Sequence, residues 1–325
     1  MTMTDRIATL VEPRALGDTG VSVSPIIAGA AGWRRREDGS GSSPEESLEL
    51  AAAMADDGVV TTIDTANNYG FGDSERRIAW VLAQLGGAGG RLSVQTKADR
   101  EPETDDFSAP QMRRSLEQSM ERLGVDQLPM VYLHDPENTT WELAMADEGP
   151  VAALVAAREE GLIGGLGISG GPAELLSRFV DTGWFQALIT HNRFTLVDRS
   201  SDALLTQAAA AGLGVLNAAP YGGGLLTRWP VRTTRYAYGT APDMMLSAVD
   251  RIGRLCDEAG VPLAAAALQW SLRDPRITGT IVGLERLEDY THTLDLAAVR
   301  IDDALWTAIE SVQLDHSTWQ DATPH

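Results

Sequence analysis

The sequence predicts a (β/α)8 barrel of the TIM type, and three observations support that prediction. From residue 26 onward, short runs rich in Leu or β-branched residues alternate with longer amphipathic stretches. The short runs number eight, which is the number that closes a barrel of parallel strands. Five of these runs end in polar side chains, and the carboxyl ends of barrel strands share the face where active sites form. The predicted strands are residues 26–29, 59–63, 92–96, 129–133, 163–168, 185–190, 213–217 and 278–282.

An open, doubly wound sheet is the alternative fold, because it also alternates strands with helices. That fold usually places a G-x-G-x-x-G turn directly after its first strand. Here the first predicted strand leads into IIAGAAGW (26–33), which spaces its glycines differently. A regular strand–helix alternation with right-handed crossovers therefore favours the closed barrel.

The segment before the first barrel strand predicts a β-hairpin. RALGDTGVSVSP contains two short alternating runs around Asp18-Thr19-Gly20, so the hairpin covers about residues 14–24. A hairpin in this position could plug the bottom of the barrel.

The amphipathic stretches carry helix start and stop signals. SPEESLELAAAMADDG (43–58) opens with Ser-Pro and a Glu-rich first turn and ends in Gly. SAPQMRRSLEQSMERLG (108–124) likewise begins with a capping Ser and ends in Gly. The stretches at 149–161 and 200–212 follow the same pattern, so each is predicted to be a helix between two strands.

We expect one domain, with the barrel over about residues 26–312. Residues 222–262 are too long for a simple connection after the seventh strand. Their start is glycine-rich and then basic and aromatic, which predicts a long loop over the active face. The last segment, 313–325, is predicted to be a polar C-terminal tail.

Composition limits the classes of function. Asp and Glu number 46 against 26 Lys and Arg, a net charge of −20, which argues against nucleic acid and anionic membranes as partners. The one cysteine, Cys256, allows no disulfide within the chain. No apolar run approaches the roughly 18 residues of a membrane span, and the N-terminus has no signal-peptide core. We expect a soluble cytoplasmic protein, monomeric or weakly homo-oligomeric.

Four side chains at strand ends form a candidate catalytic constellation. Asp64 and Tyr69 lie in IDTANNYG (63–70), while Lys97 and His134 each end a predicted strand. Singly, each has an ordinary structural explanation: a turn cap, a loop aromatic, a solvated lysine and a buried histidine. Jointly, at matching strand ends, they indicate an enzyme. The five histidines include His316 and His325 in the tail, which argues against a His-rich metal site, so no metal is expected.

These motifs resemble the aldo-keto reductases. IDTANNYGFGDSE matches the family signature of an Asp and a Tyr five positions apart, followed by the pair Ser74 and Glu75. The resemblance continues with Lys97 and His134 and covers about residues 14–295. Its other motifs are GLGIS (165–169), THNRFTLVDR (190–199), NAAPYGGGLL (217–226) and PLAAAALQWSL (262–272). The resemblance implies a (β/α)8 barrel, a nicotinamide cofactor bound without a Rossmann fold, and oxidoreduction between carbonyl and alcohol.

The chemistry of such a reaction gives each of the four residues a role. Hydride transfer to a carbonyl leaves negative charge on oxygen, and Tyr69 would supply the proton as general acid/base. A phenol has a pKa near 10, which makes it a poor acid–base catalyst at neutral pH. Lys97, as an adjacent ammonium, would stabilise the phenolate and lower that pKa. Asp64 would compensate the buried Lys97, and His134 would bond and orient the substrate oxygen.

The loop NAAPYGGGLL resembles the branch of aldose 1-dehydrogenases and pyridoxal dehydrogenases. This likeness favours oxidation of a sugar or similar polyol to a lactone, with reduction of small aldehydes or ketones as the alternative. Two other functions stay open: a cofactor-binding regulatory subunit without turnover, and an aldolase that uses Lys97 as a Schiff base.

The resemblance also assigns cofactor contacts. Ser169 would bind the nicotinamide carboxamide. The family usually has Asn next, where Gly170 stands, so one carboxamide contact is either lost or supplied by His191 or Asn192. Ala218 stands where an aromatic often stacks on the nicotinamide, with Tyr221 nearby. Backbone N–H groups of Gly222, Gly223, Gly224 and Leu225 would bind the pyrophosphate. The other expected cofactor contacts are Gly29, Ala30, Asp64, Ala219, Gly283, Arg286 and Asp289.

The segment VGLERLEDYTH (282–292) predicts NAD rather than NADP. A 2′-phosphate needs local positive charge, which the family places here. Arg286 is the one cation, and Asp289 stands where an NADP-binding member would present Arg. A carboxylate there would repel a phosphate but could accept hydrogen bonds from a ribose hydroxyl.

Three tryptophans are candidates for the substrate mouth, because sugars often lie against aromatic faces. They are Trp33, Trp141 and Trp229. The alternative is that they are ordinary packing residues. Trp33, Tyr69 and His134 are thus the expected substrate contacts.

Overall fold

A computed structural model describes residues 10–34 and 40–322, and it confirms the closed barrel. Eight parallel strands pair in a ring, and the last of them pairs with the first. Numbered along the chain, the strands are β1 (Arg14–Ala15), β2 (Ser22–Val23), β3 (Ile26–Gly29), β4 (Thr62–Asp64), β5 (Ser93–Ala98), β6 (Leu128–His134), β7 (Ile163–Gly170), β8 (Ala187–His191), β9 (Gly214–Ala218), β10 (Arg235–Tyr236), β11 (Gly239–Thr240) and β12 (Gly279–Gly283). The ring runs from β3 through β9 and closes through β12.

Helices connect the barrel strands, as the alternation predicts. The α-helices are Pro44–Asp57, Asp73–Leu85, Ala109–Leu123, Trp141–Ala144, Pro150–Glu159, Ala173–Asp181, Asp202–Ala210, Asp243–Glu258, Leu263–Leu272, Leu287–Ala298 and Asp303–Glu310. Within the described residues, none of them is both long and apolar enough to cross a membrane.

The first of these helices begins and ends at the residues that the sequence indicates. The Ser43 hydroxyl accepts a hydrogen bond from the Glu46 N–H, and the Glu46 carboxylate accepts one from the Ser43 N–H. This reciprocal capping box satisfies two N–H groups that the helix itself cannot bond. Gly58 ends the helix with φ of 68°, a left-handed conformation that glycine adopts without strain.

The predicted strands match the observed ones, with the largest shift at β4. The apolar run predicts a strand over 59–63, whereas β4 covers Thr62–Asp64. Val59 and Val60 are buried, but they precede the strand pairing. Apolar character alone cannot separate a buried strand from the buried residues leading into it.

The hairpin β1–β2 packs beneath the barrel. Leu16 in its turn is fully buried and joins an inner cluster with Val23, Ile27 and Tyr132. The turn lies so close to the barrel that a side chain at Gly17 would collide with the backbone of Gln186. The hairpin therefore closes one end of the barrel with apolar side chains, as predicted.

The long connection after β9 is partly helical. Its first part carries the short hairpin β10–β11, as expected for an extended loop. Most of segment 222–262 beyond that predicted loop forms the helix Asp243–Glu258. That helix buries Met245, Val249 and Ile252 on one face, a 3–4 residue spacing that the glycine-rich start of the segment obscured.

The described part of the C-terminal tail packs on the barrel. The Asp321 carboxylate forms an ion pair of 2.6 Å with Nε of Arg193 and accepts a bond from the Ala173 N–H. The N–H of Gln320 donates to Asp198. The tail thus contacts the loop that follows β8.

Strand register brings the carboxyl ends of the barrel strands together. Gly29 pairs with Asp64, and His134 pairs with Ser169. His191 ends its strand opposite Ala218. The polar residues that end these strands therefore lie on one face of the barrel.

Candidate active site

A cavity of about 340 Å³ lies at the carboxyl ends of the strands. The predicted site residues that line it are Gly29, Asp64, Tyr69, Lys97, His134, Ser169, His191, Asn192, Ala219 and Gly283. It also contains lining residues that the sequence did not single out for this site: Ala31, Gly32, Asp135, Ile189, Tyr238, Ile281 and Glu285. Ala218 lines it too, at the position where an aromatic was expected.

Lys97 lies at the centre of a buried polar cluster. Its Nζ donates to Oδ2 of Asp64 at 2.7 Å, to the carbonyl oxygen of Thr65 at 2.7 Å, and to the Tyr69 hydroxyl at 3.3 Å. The side chains of Lys97 and Asp64 are only 2% and 4% exposed. The ammonium has three N–H donors and uses all three, so the buried charge is compensated and fully bonded.

Asp64 is held from its other side by residues that the sequence analysis did not name. Oδ1 of Asp64 accepts a bond from Nε2 of Gln95 at 2.8 Å, and Oε1 of Gln95 accepts one from the Tyr132 hydroxyl at 3.1 Å. Gln95 and Tyr132 each stand two positions before a predicted site residue. Alternate residues of a strand face the same side, so this spacing is the signal that could have found them.

Burial changes the acidity expected for Tyr69. Burial raises the pKa of the phenol, Lys97 lowers it and Asp64 raises it again, with the result at about 12. Lys97 lowers this pKa, as expected, but burial, which has the largest effect, and the Asp64 charge raise it by more, so the pKa lies above the ordinary value of a phenol. Lys97 itself keeps its proton: burial lowers its pKa, but Asp64 and Tyr69 raise it by more. Tyr69 is a neutral phenol, suited first to donating a proton.

His134 lies next to Tyr69 in the wall of the cavity. The two rings are perpendicular, with centroids 5.8 Å apart. Nδ1 of His134 lies 2.6 Å from Oδ1 of Asp99, a buried carboxylate at the end of β5. Asp99 was missed in the sequence, although it follows Lys97 by two positions and so continues the same strand end.

A second group of residues suits a nicotinamide carboxamide. Oδ1 of Asn192 is buried beside the cavity without a hydrogen-bond partner among the described residues, so it can accept from an amide N–H. Ser169 lines the same cavity and carries a hydroxyl that can donate to the amide oxygen. Burial lowers the pKa of His191 to about 4, which keeps that ring neutral. These residues fit the cofactor that the sequence implies.

Several predicted cofactor residues do not line the cavity. A side chain at Gly170 would meet Glu137 and Leu176 on the outer side of β7. Ala30 is fully buried, and its N–H donates to the carbonyl of Asp64. Tyr221 packs against the main core with its hydroxyl buried.

The glycine run has a packing role that the sequence did not reveal. Gly222–Gly224 forms a short 3-10 turn beneath the hairpin β10–β11. A side chain at Gly222 would collide with the ring of Tyr236, and one at Gly223 would meet Ala237. Leu225, which follows, is buried in the core. Close approach of the hairpin thus requires small residues here, whatever else the turn binds.

The side chains of Arg286 and Asp289 already have hydrogen-bond partners within the protein. The Arg286 guanidinium donates to Glu46 at 2.8 Å and to the carbonyl of Gly41 at 2.7 Å. Oδ2 of Asp289 accepts from the N–H groups of Glu285 and Arg286 and so caps the helix Leu287–Ala298. The Glu46 contact is 240 positions away in sequence, so local motif reasoning could not foresee it.

The three tryptophans expected at the substrate mouth do not line the cavity. Trp33 is 0% exposed and donates its indole N–H to the carbonyl of Leu284. Trp141 packs against Phe179, and Trp229 bonds Asp250. These contacts favour the alternative, that the three tryptophans are packing residues, because each indole contacts another part of the chain.

In place of a tryptophan, Tyr238 lines the cavity. It sits at the tip of the hairpin β10–β11, is 76% exposed, and meets His191 edge to face with ring centroids 5.9 Å apart. The sequence predicts an aromatic loop over the active face, but not which of its side chains reaches the cavity.

Comparison with known proteins identifies the family. The sequence profile of the Aldo/keto reductase family matches residues 25–314. The chain belongs to this family. As a member it is an oxidoreductase that works with a nicotinamide cofactor. The predicted resemblance to the aldose 1-dehydrogenase and pyridoxal dehydrogenase branch is confirmed by the relatives described next.

The curated relatives are similar over nearly their whole length. A D-threo-aldose 1-dehydrogenase of a Pseudomonas species is 31% identical over 297 residues, which cover 84% of this chain and 89% of that protein. An L-galactose dehydrogenase of Arabidopsis thaliana is 27% identical over 324 residues, 95% of this chain and 92% of that one. A pyridoxal 4-dehydrogenase of Microbacterium luteolum is 25% identical over 344 residues, 92% and 97% of the two chains.

A solved structure shows the same fold. An aldo-keto reductase from Bacillus halodurans superposes with a TM-score of 0.77 at 18% sequence identity. The alignment covers 96% of this chain and 99% of that one.

Proposed function

We propose that this aldo-keto reductase oxidises the hemiacetal carbon of an unphosphorylated sugar to a lactone. One observation carries the proposal: Tyr69, Lys97, Asp64 and His134 meet on the wall of one cavity. Lys97 donates to both Asp64 and Tyr69, and the ring of His134 lies beside that of Tyr69. The direction and the sugar rest on the similarity to proteins named aldose and galactose dehydrogenases.

The residues divide the chemistry as follows. Ser169 and Asn192 would hold a nicotinamide, which would supply the acceptor for the hydride of the substrate carbon. The hydroxyl proton of the same carbon passes to the oxygen of Tyr69, so a C–H and an O–H bond break as the C=O bond forms. Lys97 Nζ, 3.3 Å from that oxygen, stabilises the phenolate that must exist before the proton arrives. Asp64 keeps Lys97 charged, and His134 bonds the substrate oxygen.

Reduction of small aldehydes or ketones is the second candidate, and one observation favours it. Burial raises the pKa of Tyr69 to about 12, so at neutral pH the phenol is ready to donate a proton. A carbonyl oxygen that receives hydride on its carbon needs such a donor. The site can therefore run in both directions, and pH decides which direction has the reactive form of Tyr69.

The charges of the cavity favour a substrate without phosphate. Among the described residues that line it, Lys97 is the one lysine or arginine, and its N–H donors are all used inside the protein. Asp135 and Glu285 add two carboxylates to the lining. His134 serves the reacting oxygen, so a phosphate group elsewhere in the cavity would find no cationic partner and would meet negative charge, whereas sugar hydroxyls can donate to both carboxylates.

For the cofactor, we propose a preference for NAD. Arg286, which a 2′-phosphate would need, is paired with Glu46, and Asp289 lies within the next helical turn. A phosphate would have to compete with the Glu46 carboxylate for the Arg286 charge. A clear preference for NADP in kcat/KM, with one accepted substrate, would contradict this proposal.

The function is tested by screening free aldoses, their phosphates and small carbonyls with both cofactors, followed at 340 nm. We expect oxidation of at least one free aldose and much weaker activity with the matching sugar phosphate. Activity confined to small aldehydes or ketones in the reductive direction would support the second candidate. Turnover of sugar phosphates at the rate of free sugars would contradict the charge argument.

A further inference from the structure

The ring of His134 has a carboxylate at each nitrogen. Nδ1 lies 2.6 Å from Oδ1 of Asp99, whereas Nε2 lies 3.6 Å from Oδ1 of Asp135. The first distance is that of a short, charge-assisted hydrogen bond, and the second is too long for a hydrogen bond. Because an ionised carboxylate only accepts, Nδ1 carries a proton toward Asp99. Nε2 is then the nitrogen that remains for the cavity.

Asp99 is held in place by the loop after β4 and by the helix Ala109–Leu123. Its Oδ2 accepts the N–H of Asn68 at 2.8 Å. Its own N–H donates to Oγ of Ser115 at 3.0 Å, and its carbonyl accepts from Nε2 of Gln111 at 3.1 Å. The residue is only 5% exposed. The carboxylate therefore cannot turn to water when His134 changes its charge.

Five groups with titratable side chains face His134, and their charges do not cancel. The carboxylates are Asp99 from the end of β5 and Asp135 from the residue after His134. Lys97, also on β5, is the opposing charge, but it is paired with Asp64. Tyr69 from the loop after β4 and His191 from β8 complete the set.

The balance of these effects favours the charged ring. Burial lowers the pKa of His134, but Asp99 and then Asp135 raise it by more, so this pKa lies above its ordinary value. Burial keeps His191 neutral, with its pKa lowered to about 4, so that ring adds no positive charge.

We propose that Asp99 is a positioning residue for His134. Asp99 fixes the His134 ring through Nδ1 and keeps that ring an imidazolium, so that Nε2–H is a charged donor to the substrate oxygen. The role in catalysis rests on the function proposed above; the protonation of the ring does not. In oxidation the donor stabilises the oxygen as it loses its proton, and in reduction it stabilises the oxygen as it gains negative charge. His134 transfers no proton itself; that step remains with Tyr69.

The direct test is an NMR titration of the protein without cofactor or substrate, labelled with 15N-histidine. His134→Gln assigns the signal among the five histidines. We expect a pKa for His134 above the value of about 6.5 for free histidine, with both ring nitrogens protonated below it. In Asp99→Asn the pKa should fall by about 1 or more. A wild-type His134 that titrates at or below the free value would overturn the proposal, even if Asp99→Asn failed to fold.

Ser115→Ala is the matched control for a merely structural role. It removes a hydrogen bond to the backbone of Asp99 but leaves the carboxylate charge. We expect it to lower the melting temperature and leave the His134 pKa unchanged. Equal pKa changes in Ser115→Ala and Asp99→Asn would mean that packing, and not the charge of Asp99, sets the state of the ring.

Kinetics then connect the ring to the reaction. In reduction, wild-type kcat/KM should step down as pH rises through the His134 pKa, and Asp99→Asn should move that step to lower pH. Asp99→Asn should also reduce kcat by about tenfold with little change in the cofactor dissociation constant. An unchanged pH profile in Asp99→Asn would contradict the proposed role. Because the NMR titration needs no turnover, failure of the sugar screen leaves the protonation of His134 independently tested.

Discussion

At the scale of single residues, the site depends on a buried charge that is fully compensated. Lys97 bonds Asp64, a backbone carbonyl and Tyr69, while Gln95 holds the second oxygen of Asp64. Asp64, Lys97, Tyr69 and His134 could be predicted because their types and strand-end positions fit one reaction. Gln95 and Asp99 lie two positions from Lys97 and so share its side of the strand, but their roles depend on which side chains they touch, and the sequence does not show that.

Replacing Asp64 by Asn should leave the Lys97 charge buried without its counter-charge. We expect a loss of about 3 kcal/mol in the free energy of unfolding, together with loss of turnover, because unpaired buried charges are costly. Thermal or denaturant unfolding and kcat measure the two effects. Asp73→Asn is the control, since Asp73 pairs with Arg76 on an exposed helix face and should matter little. An Asp64→Asn protein as stable as the wild type would contradict this account of the cluster.

The raised pKa of Tyr69 predicts that pH affects its role in oxidation but not its role in reduction. Oxidation needs the phenolate, and the pKa is about 12, so the reactive fraction grows as pH rises toward that value. Oxidation should therefore accelerate between about pH 6 and about pH 9, less steeply above the pKa of His134. Reduction needs the neutral phenol, which is present throughout this range. An oxidation rate that falls with rising pH would show that Tyr69 is not the base.

At the scale of elements, local signals predict helices and strands well and contacts between them poorly. Capping residues and terminal glycines place the helix Pro44–Asp57 where it is found. The same sequence gives no sign that Glu46 of this helix reaches Arg286 after β12. Nor does it show that the indole of Trp33 bonds Leu284. Both contacts join segments that become neighbours only when the barrel closes.

The ion pair between Glu46 and Arg286 links a helix to the segment after β12, and we expect it to affect the choice between NAD and NADP. Glu46→Gln keeps an acceptor for the helix cap but removes the negative charge that pairs with Arg286. We expect the dissociation constant for NADP to fall by roughly threefold to tenfold relative to NAD, because Arg286 can then turn to the 2′-phosphate. Fluorescence quenching measures both constants. Glu45→Gln, one position earlier in the same helix turn, should leave the ratio unchanged. If the two variants had the same ratio of dissociation constants, Arg286 would not determine the choice of cofactor.

At the scale of the whole molecule, the barrel explains how distant residues form one site. Strand–helix alternation predicts the closed ring, and the ring places every strand end on one face. The sequence predicts a loop over the active face, but not that this loop forms the hairpin β10–β11 and brings Tyr238 to the cavity. That placement depends on the small residues Gly222 and Gly223 beneath the hairpin, a packing relation between two parts of one loop.

The central claim is that Tyr69 donates or accepts the proton of the reaction. Lys97 and Asp64 stabilise its phenolate, and His134 bonds the substrate oxygen. The most direct measurement is kcat of Tyr69→Phe with an accepted substrate, together with the cofactor dissociation constant. The substitution removes one hydroxyl and keeps the ring beside His134. We predict a loss of about 100-fold or more in kcat in both directions, with cofactor binding within about twofold of wild type. A Tyr69→Phe enzyme that retains most of its turnover would contradict the mechanism.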